Sequence, residues 1–202
     1  MRVDIVSDTI CPWCFIGKRR FERALAEHGV TGVEIGWRPF QLNPAMPPEG
    51  MERAAYLKAK FGDAGRLGGV YDRVREAGEG EGIAFAFDRI RRTPNTVDSH
   101  RLIHWGAAAG RQDDVVEALF RRYFLDGGDI GDRDVLAEVA ADAGFDQADI
   151  RRRLELDTDR DAVLAEDKMA REMGVDGVPC FIFERKFAVV GAQEPEAFGQ
   201  VF

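Results

Sequence analysis

Ser7-Asp8-Thr9-Ile10-Cys11-Pro12-Trp13-Cys14-Phe15-Ile16-Gly17 joins a strand pattern to a helix pattern and holds two of the three cysteines in this 202-residue chain. Two cysteines separated by two residues indicate either redox chemistry or half of a metal site. Upstream, residues 2–7 read as a buried strand with Val3, Ile5 and Val6 as its apolar content. Downstream, Cys14, Gly17, Phe21, Ala24, Leu25 and His28 recur at helical spacing, with Lys18, Arg19, Glu22, Arg23 and Glu27 on the other face. Gly29 suits the helix C-terminus. A second strand over residues 33–37 completes a β-α-β unit with the cysteines at the N-terminus of its helix.

That placement favours thiol chemistry. The attacking species in disulfide exchange is the thiolate, and a helix N-terminus offers it partial positive charge and unpaired N–H groups. Pro12 fits the first helical position, where its missing N–H costs nothing. The expectation is that Cys11 attacks, that Cys14 resolves from a buried position, and that the Cys14 amide points at the Cys11 sulfur. Lys18 is two turns away and screened from the sulfur. Trp13 suits either an outward platform for substrate or a core position under the Pro39-Phe40 loop. Asp4 and Asp8 are candidates for proton transfer to Cys14, although an edge-strand charge and a turn cap are the commoner reasons for such residues.

Further along, residues 38–48 are the most proline-dense part of the chain and read as an extended loop. Helical patterns cover residues 52–61, 67–77, 96–109, 113–125, 132–143 and 147–154, with one strand-like interruption at 83–87 where Phe85 and Phe87 alternate. A longer helix over 159–173 has Thr158 as expected N-cap and Gly174 as C-cap. Residues 180–183 and 187–190 read as a hairpin, and Pro195 opens a terminal helix through Phe202. Gly177-Val178-Pro179, just before the hairpin, is a turn that suits a trans proline at a strand start or a cis peptide. The fold class is therefore α/β: a thioredoxin-like unit with a large inserted all-helical domain. The expected divisions are residues 1–43 for the first part of the thioredoxin-like domain, 44–155 for the insert and 156–202 for the second part.

Composition narrows the partners. The formal net charge is −8 with 32% charged residues, which argues against nucleic acid, a ligand held by clustered Lys and Arg. No apolar run approaches the ~20 residues of a membrane span. With Met1-Arg2 passing straight into the first strand and only three cysteines, the expected location is the cytoplasm, where a reactive pair is better maintained than a structural disulfide.

These stretches resemble the DsbA-like thiol oxidoreductases of the cytoplasmic FrnE type. The matching segments are residues 7–17, Trp37-Arg38-Pro39-Phe40-Gln41-Leu42-Asn43-Pro44, Pro94-Asn95-Thr96 with His100-Arg101-Leu102, and Gly177-Val178-Pro179 with Gly191-Ala192-Gln193. The resemblance implies a thiol-disulfide oxidoreductase or isomerase with a dithiol at Cys11 and Cys14 and a cis-proline loop at Val178 and Pro179. It also implies a substrate groove lined by Trp13, Phe40, Asn43, Pro44 and Asn95. Cys180 stands where an apolar residue or threonine is expected, as a small core side chain or as a third exchanging thiol. The implied partners are protein or small-molecule thiols and disulfides, with glutathione as a candidate thiol partner and no tightly bound cofactor; a homodimer is one candidate assembly.

A metal site, two glutathione-dependent enzyme classes and one binding role compete. His100 and His104 could complete a zinc site with the cysteines, but the spacing fits no compact finger, and no metal is expected. Kappa-class glutathione transferases and hydroxychromene-carboxylate isomerases resemble the same architecture, typically with serine at the position of Cys11 and no second cysteine. A thioredoxin-fold chaperone would use the groove without the thiols.

Overall fold

The computed structural model describes residues 1–62 and 64–202. In chain order the elements begin β1 (Arg2–Ser7), α1 (Pro12–Glu27), β2 (Glu34–Pro39), β3 (Met51–Glu52), α2 (Arg53–Phe61), α3 (Ala64–Gly80) and β4 (Arg92–Thr93). They continue α4 (Val97–Ala108), α5 (Gln112–Phe124), α6 (Arg133–Asp142), α7 (Gln147–Glu155) and α8 (Arg160–Glu172). β5 (Cys180–Phe183), β6 (Phe187–Val190) and α9 (Pro195–Phe198) close the chain.

β1 is an inner strand of a four-stranded sheet of order β2-β1-β5-β6. It runs parallel to β2, as a β-α-β crossover requires, and antiparallel to β5, which pairs with β6. α1 ends where the Val30 N–H reaches back to the Leu25 carbonyl at 2.9 Å, a closure that puts Gly29 at φ +62°. On one face of the sheet Phe21 of α1 packs on Phe181 at 5.2 Å and on Phe198 of α9 at 5.4 Å. On the other face Ala170 of α8 meets Val6, Phe40 and Cys180. Side chains alternate along a strand, so Phe181 and Cys180 take opposite faces.

The helices between β2 and α8 extend the same apolar core onto the outer side of α1. Phe15 stacks on Phe120 of α5 at 5.1 Å, and Phe85 meets Phe124 edge-on at 5.4 Å. The architecture is a thioredoxin-like α/β unit with a helical insertion between β2 and α8. α1 is thus shared: one face belongs to the sheet and the other to the insertion.

Four local expectations change. Residues 83–87 are not a strand: Phe85 and Phe87 stack on each other at 4.8 Å in the helical core, and Phe87–Arg89 forms a 3₁₀ turn. Burial of both rings, not strand pairing, produces the alternation. A short ladder instead joins β3 to β4, through the register Met51↔Thr93. The N-cap of α8 is Asp159, left-handed at φ +60°, and its carboxylate accepts from Trp105 Nε1 at 2.8 Å instead of capping the helix. The terminal helix stops at Phe198, short of Phe202, whose ring packs 6.1 Å from Phe183.

Lys18 has a structural position that its sequence neighbourhood does not disclose. It is 4% exposed and its ammonium meets Asp113 at 3.1 Å, Glu117 at 3.3 Å and Glu22 of its own helix. Arg19 adds a second cation on Glu117. The cluster fastens α1 to α5. Burial opposes the charge on Lys18, but Asp113, Glu22 and Glu117 outweigh it and raise the ammonium above its ordinary range. Burial also opposes ionisation of Glu117, yet the Arg19 hydrogen bond and the Lys18 charge hold its carboxyl below the glutamate range. A lowered carboxyl stabilises the fold above its unfolded value and loses that contribution as pH falls through the folded value; a raised ammonium loses its contribution as pH rises through its own. Lys18→Met is therefore expected to lower stability by about 1–2 kcal/mol at neutral pH, the partners being partly exposed. The deficit should shrink in acid as Glu117 protonates. Urea melts at neutral and acidic pH measure it, and an equal deficit at both would contradict this assignment.

Candidate active site

Cys11 is the N-cap of α1, with φ −91° and ψ 112°, Pro12 follows in the first turn, and no acidic residue stands in that turn to oppose a thiolate. The Cys14 amide donates to the Cys11 carbonyl at 3.0 Å. That donor is therefore spent on the backbone and not aimed at the Cys11 sulfur, the role the sequence suggests. The Cys11 thiol instead lies 3.7 Å from the Val178 carbonyl, to which it donates. The Val178–Pro179 peptide is cis.

Cys14 lies behind Cys11 and is 1% exposed. Burial pushes its thiol well above the ordinary cysteine range, and the hydrogen bond and charge of Cys11 push it further. The Ser7 hydroxyl and the Asp8 amide act in the opposite direction, toward the thiolate. Ser7 closes β1 and has no signal in the sequence beyond its place at the strand end. Both sulfurs are thus buried, Cys11 at the helix terminus and Cys14 behind it with its thiol held protonated.

Gly17, one turn beyond Cys14, allows the proline loop to come close. A Cβ at position 17 would lie 2.8 Å from Pro179 Cγ, and the Pro179 carbonyl accepts from the Gly191 N–H at 2.7 Å. These contacts bring together Gly17, Pro179 and Gly191, which lie far apart in the chain.

Trp13 is 36% exposed and stands outward beside the pair, not in the core beneath the Pro39-Phe40 loop. Phe40 is turned inward, with Arg171 stacked 4.1 Å from its ring, so its side chain does not line a groove. Asn43 is half-buried and hydrogen-bonds Tyr56 at 3.1 Å, while Pro44 is exposed. Asn95 donates to the Met46 carbonyl at 2.7 Å and caps the Val97 amide at 3.0 Å. It ties the proline-rich loop to α4 and borders a polar pocket of about 460 Å³ with Pro48, Asp98, Arg133 and Arg160. Cys180 is buried against Val6, Phe40 and Ala170 on the α8 face, and burial, then the charge of Asp176, raises its thiol.

Neither histidine of the considered zinc set turns to the cysteines. His100 Nε2 is 3.4 Å from Asp8 Oδ1, and His104 Nδ1 is 3.5 Å from Glu166. Among the described residues no group of three or more His, Cys, Asp or Glu is arranged to hold a metal ion.

Comparison with known proteins bears on this geometry. The family model for the DSBA-like thioredoxin domain matches residues 2–202. The probable DsbA oxidoreductase SCO1869 from Streptomyces coelicolor is 35% identical, with a TM-score of 0.90 over 100% of this chain and 88% of that one. Two more distant structures share the fold. A 2-hydroxychromene-2-carboxylate isomerase is 17% identical, with a TM-score of 0.73 over 100% and 96% of the two chains. The cytosolic disulfide reductase DsbM from Pseudomonas aeruginosa, solved with GSH, is 18% identical, with a TM-score of 0.67 over 100% and 98%. The chain belongs to the DSBA-like thioredoxin domain family of thiol-disulfide oxidoreductases.

Proposed function

We infer that this protein exchanges disulfides through the Cys11–Cys14 dithiol. The observation that carries the reading is the placement of the two sulfurs: Cys11 at the α1 N-cap against the Val178 carbonyl, and Cys14 behind it with its thiol raised by burial. The Cys11 thiolate attacks one sulfur of a substrate disulfide R–S–S–R′, forming Cys11–S–S–R and releasing R′–S⁻, which takes a proton. Cys14 then gives up its proton and attacks the Cys11 sulfur, closing the Cys11–Cys14 bridge and expelling R–S⁻. R–S⁻ takes the second proton; counted from the dithiol, including the proton Cys11 gives up to become a thiolate, the enzyme loses two electrons and two protons and the substrate gains them. The reverse sequence oxidises a substrate dithiol.

Val178 presents backbone beside the reactive sulfur, which suits an extended peptide or a peptide-like thiol, and Trp13 gives that ligand an apolar surface. Glutathione has this chemistry, and the fold similarity to a reductase solved with GSH supports it as the small-thiol partner. The presence of thiols at both positions favours exchange over glutathione-dependent isomerisation, which needs no resolving cysteine. Cys14→Ser tests the order of events. Incubated with oxidised glutathione, it is expected to accumulate one glutathionyl adduct on Cys11 by mass spectrometry, whereas the native protein resolves to the internal bridge. A variant that takes up no adduct, or takes it at Cys180, would contradict the assignment.

A further inference from the structure

Beneath the active-site turn lie two polar groups that the exchange steps leave unused. Asp8 is fully buried and His100 is 3% exposed. Asp8 Oδ2 accepts the Leu42 N–H at 2.7 Å, but Asp8 Oδ1 and His100 Nε2 have no hydrogen-bond partner and face one another at 3.4 Å. The Thr9 and Ser99 hydroxyls, 2.8 Å apart, pin the same two segments together. Asp8 also supports the dithiol through its backbone: its carbonyl accepts the Cys11 N–H at 3.1 Å and its amide meets the Cys14 sulfur.

The charged groups around this pair are matched elsewhere. His104, one turn further along α4, faces Glu166 of α8. Asp167 of α8 is held by Arg171 and by the Gln41 amide. Arg101 turns to Asp98 and the α7 carbonyls, and Lys18 is taken by its three carboxylates on α1 and α5. From α1 the groups that face the turn are the two thiols. Asp8 and His100 are left to each other.

We propose that His100 is a positioning residue for the dithiol: its ring nitrogen, facing Asp8 Oδ1, offsets the charge of the buried Asp8 carboxylate, so that no uncompensated negative charge opposes the Cys11 thiolate. This rests on the exchange reading above. A carboxylate removed from water without a partner is costly, and in a weakly screened interior its charge disfavours a second anion nearby. Placing the partner of Asp8 on α4 makes the reactivity of the thioredoxin-like unit depend on a side chain from the helical insertion. His100 touches no substrate and acts only through Asp8.

A double-variant cycle read by thiolate absorbance against pH, with exchange rate alongside, tests this. His100→Asn is expected to lower the thiolate fraction at neutral pH about tenfold and to slow Cys11 alkylation in proportion. Asp8→Asn, which keeps an acceptor for Leu42, is expected not to lower it. In the Asp8→Asn background His100→Asn should have no further effect. An unchanged titration in His100→Asn, or the same loss in both backgrounds, would overturn the proposal, the second result marking a merely structural role. If His100→Asn alone fails to fold, the double variant is expected to restore folding with a native-like titration, and a double variant equally unfolded would overturn it. Loss of exchange in the native protein would defeat the enzymatic reading while leaving the titration cycle readable.

Discussion

Cys11→Ser is expected to abolish dithiol exchange, with a fall of about a thousandfold or more in the rate of reducing a peptide disulfide. The α1 N-terminus can stabilise a thiolate at position 11, but a serine hydroxyl stays protonated there and is a poor nucleophile toward sulfur. Cys14 cannot substitute, because it lies behind Cys11 and its burial holds the thiol well above the ordinary range. Cys180 cannot substitute either, since it faces Val6, Phe40 and Ala170 on the α8 side of the sheet. Fold and thermal stability should survive, as the Cys11 side chain makes no capping hydrogen bond to the helix. A fluorogenic peptide-disulfide assay measures the loss, and a rate within a few-fold of the native protein would remove Cys11 from the mechanism.

The largest expected loss of stability lies at Arg101. Its side chain is fully buried and donates to the Arg153 carbonyl at 2.7 Å, the Leu154 carbonyl at 3.3 Å and the Thr158 carbonyl at 2.7 Å. It also pairs with Asp98 at 2.8 Å. Those carbonyls lie at the C-terminal end of α7 and in the left-handed turn through Asp157 and Asp159 that starts α8. One guanidinium thus satisfies the end of the insertion and fixes where the chain re-enters the sheet domain. Arg101→Leu removes every donor while leaving the acceptors and Asp98 in place. It is expected to cost about 3–5 kcal/mol, read as a fall in the urea midpoint. Arg101→Lys should recover little, because an ammonium cannot span the same carbonyls as a planar fork. A loss below about 1 kcal/mol would show that water or a rearranged turn satisfies those groups.

How much of this is legible in the sequence depends on whether the signal is local. β1, α1, β5 and β6 can be read because their apolar periods and their caps, Pro12 and Gly29, lie within or beside the segments themselves. The cysteine pair declares its chemistry by spacing and by its position at a helix start. What escapes is what long-range contact decides. Phe85 and Phe87 resemble a strand because both pack inward, and only the aromatic core of α5 explains them. The family resemblance implies a groove position for Phe40, yet Arg171, 131 positions away in the chain by numbering, stacks on it and holds it inward. Lys18 lies too far along α1 to act on the sulfur, and its three carboxylates come partly from α5, which sequence spacing does not connect to α1. The spacing of His100 and His104 leaves their partners open, and only the fold turns the two toward different carboxylates.

The measurement that bears most directly on dithiol exchange at Cys11 and Cys14 is a redox titration of the native protein in buffers of graded reduced and oxidised glutathione, quenched by alkylation under denaturing conditions and mapped by mass spectrometry. One two-electron transition is expected, in which Cys11 and Cys14 pass together from alkylated to bridged, with Cys180 alkylated throughout. Cys11 and Cys14 remaining alkylated across the whole range, or a bridge that includes Cys180, would contradict it.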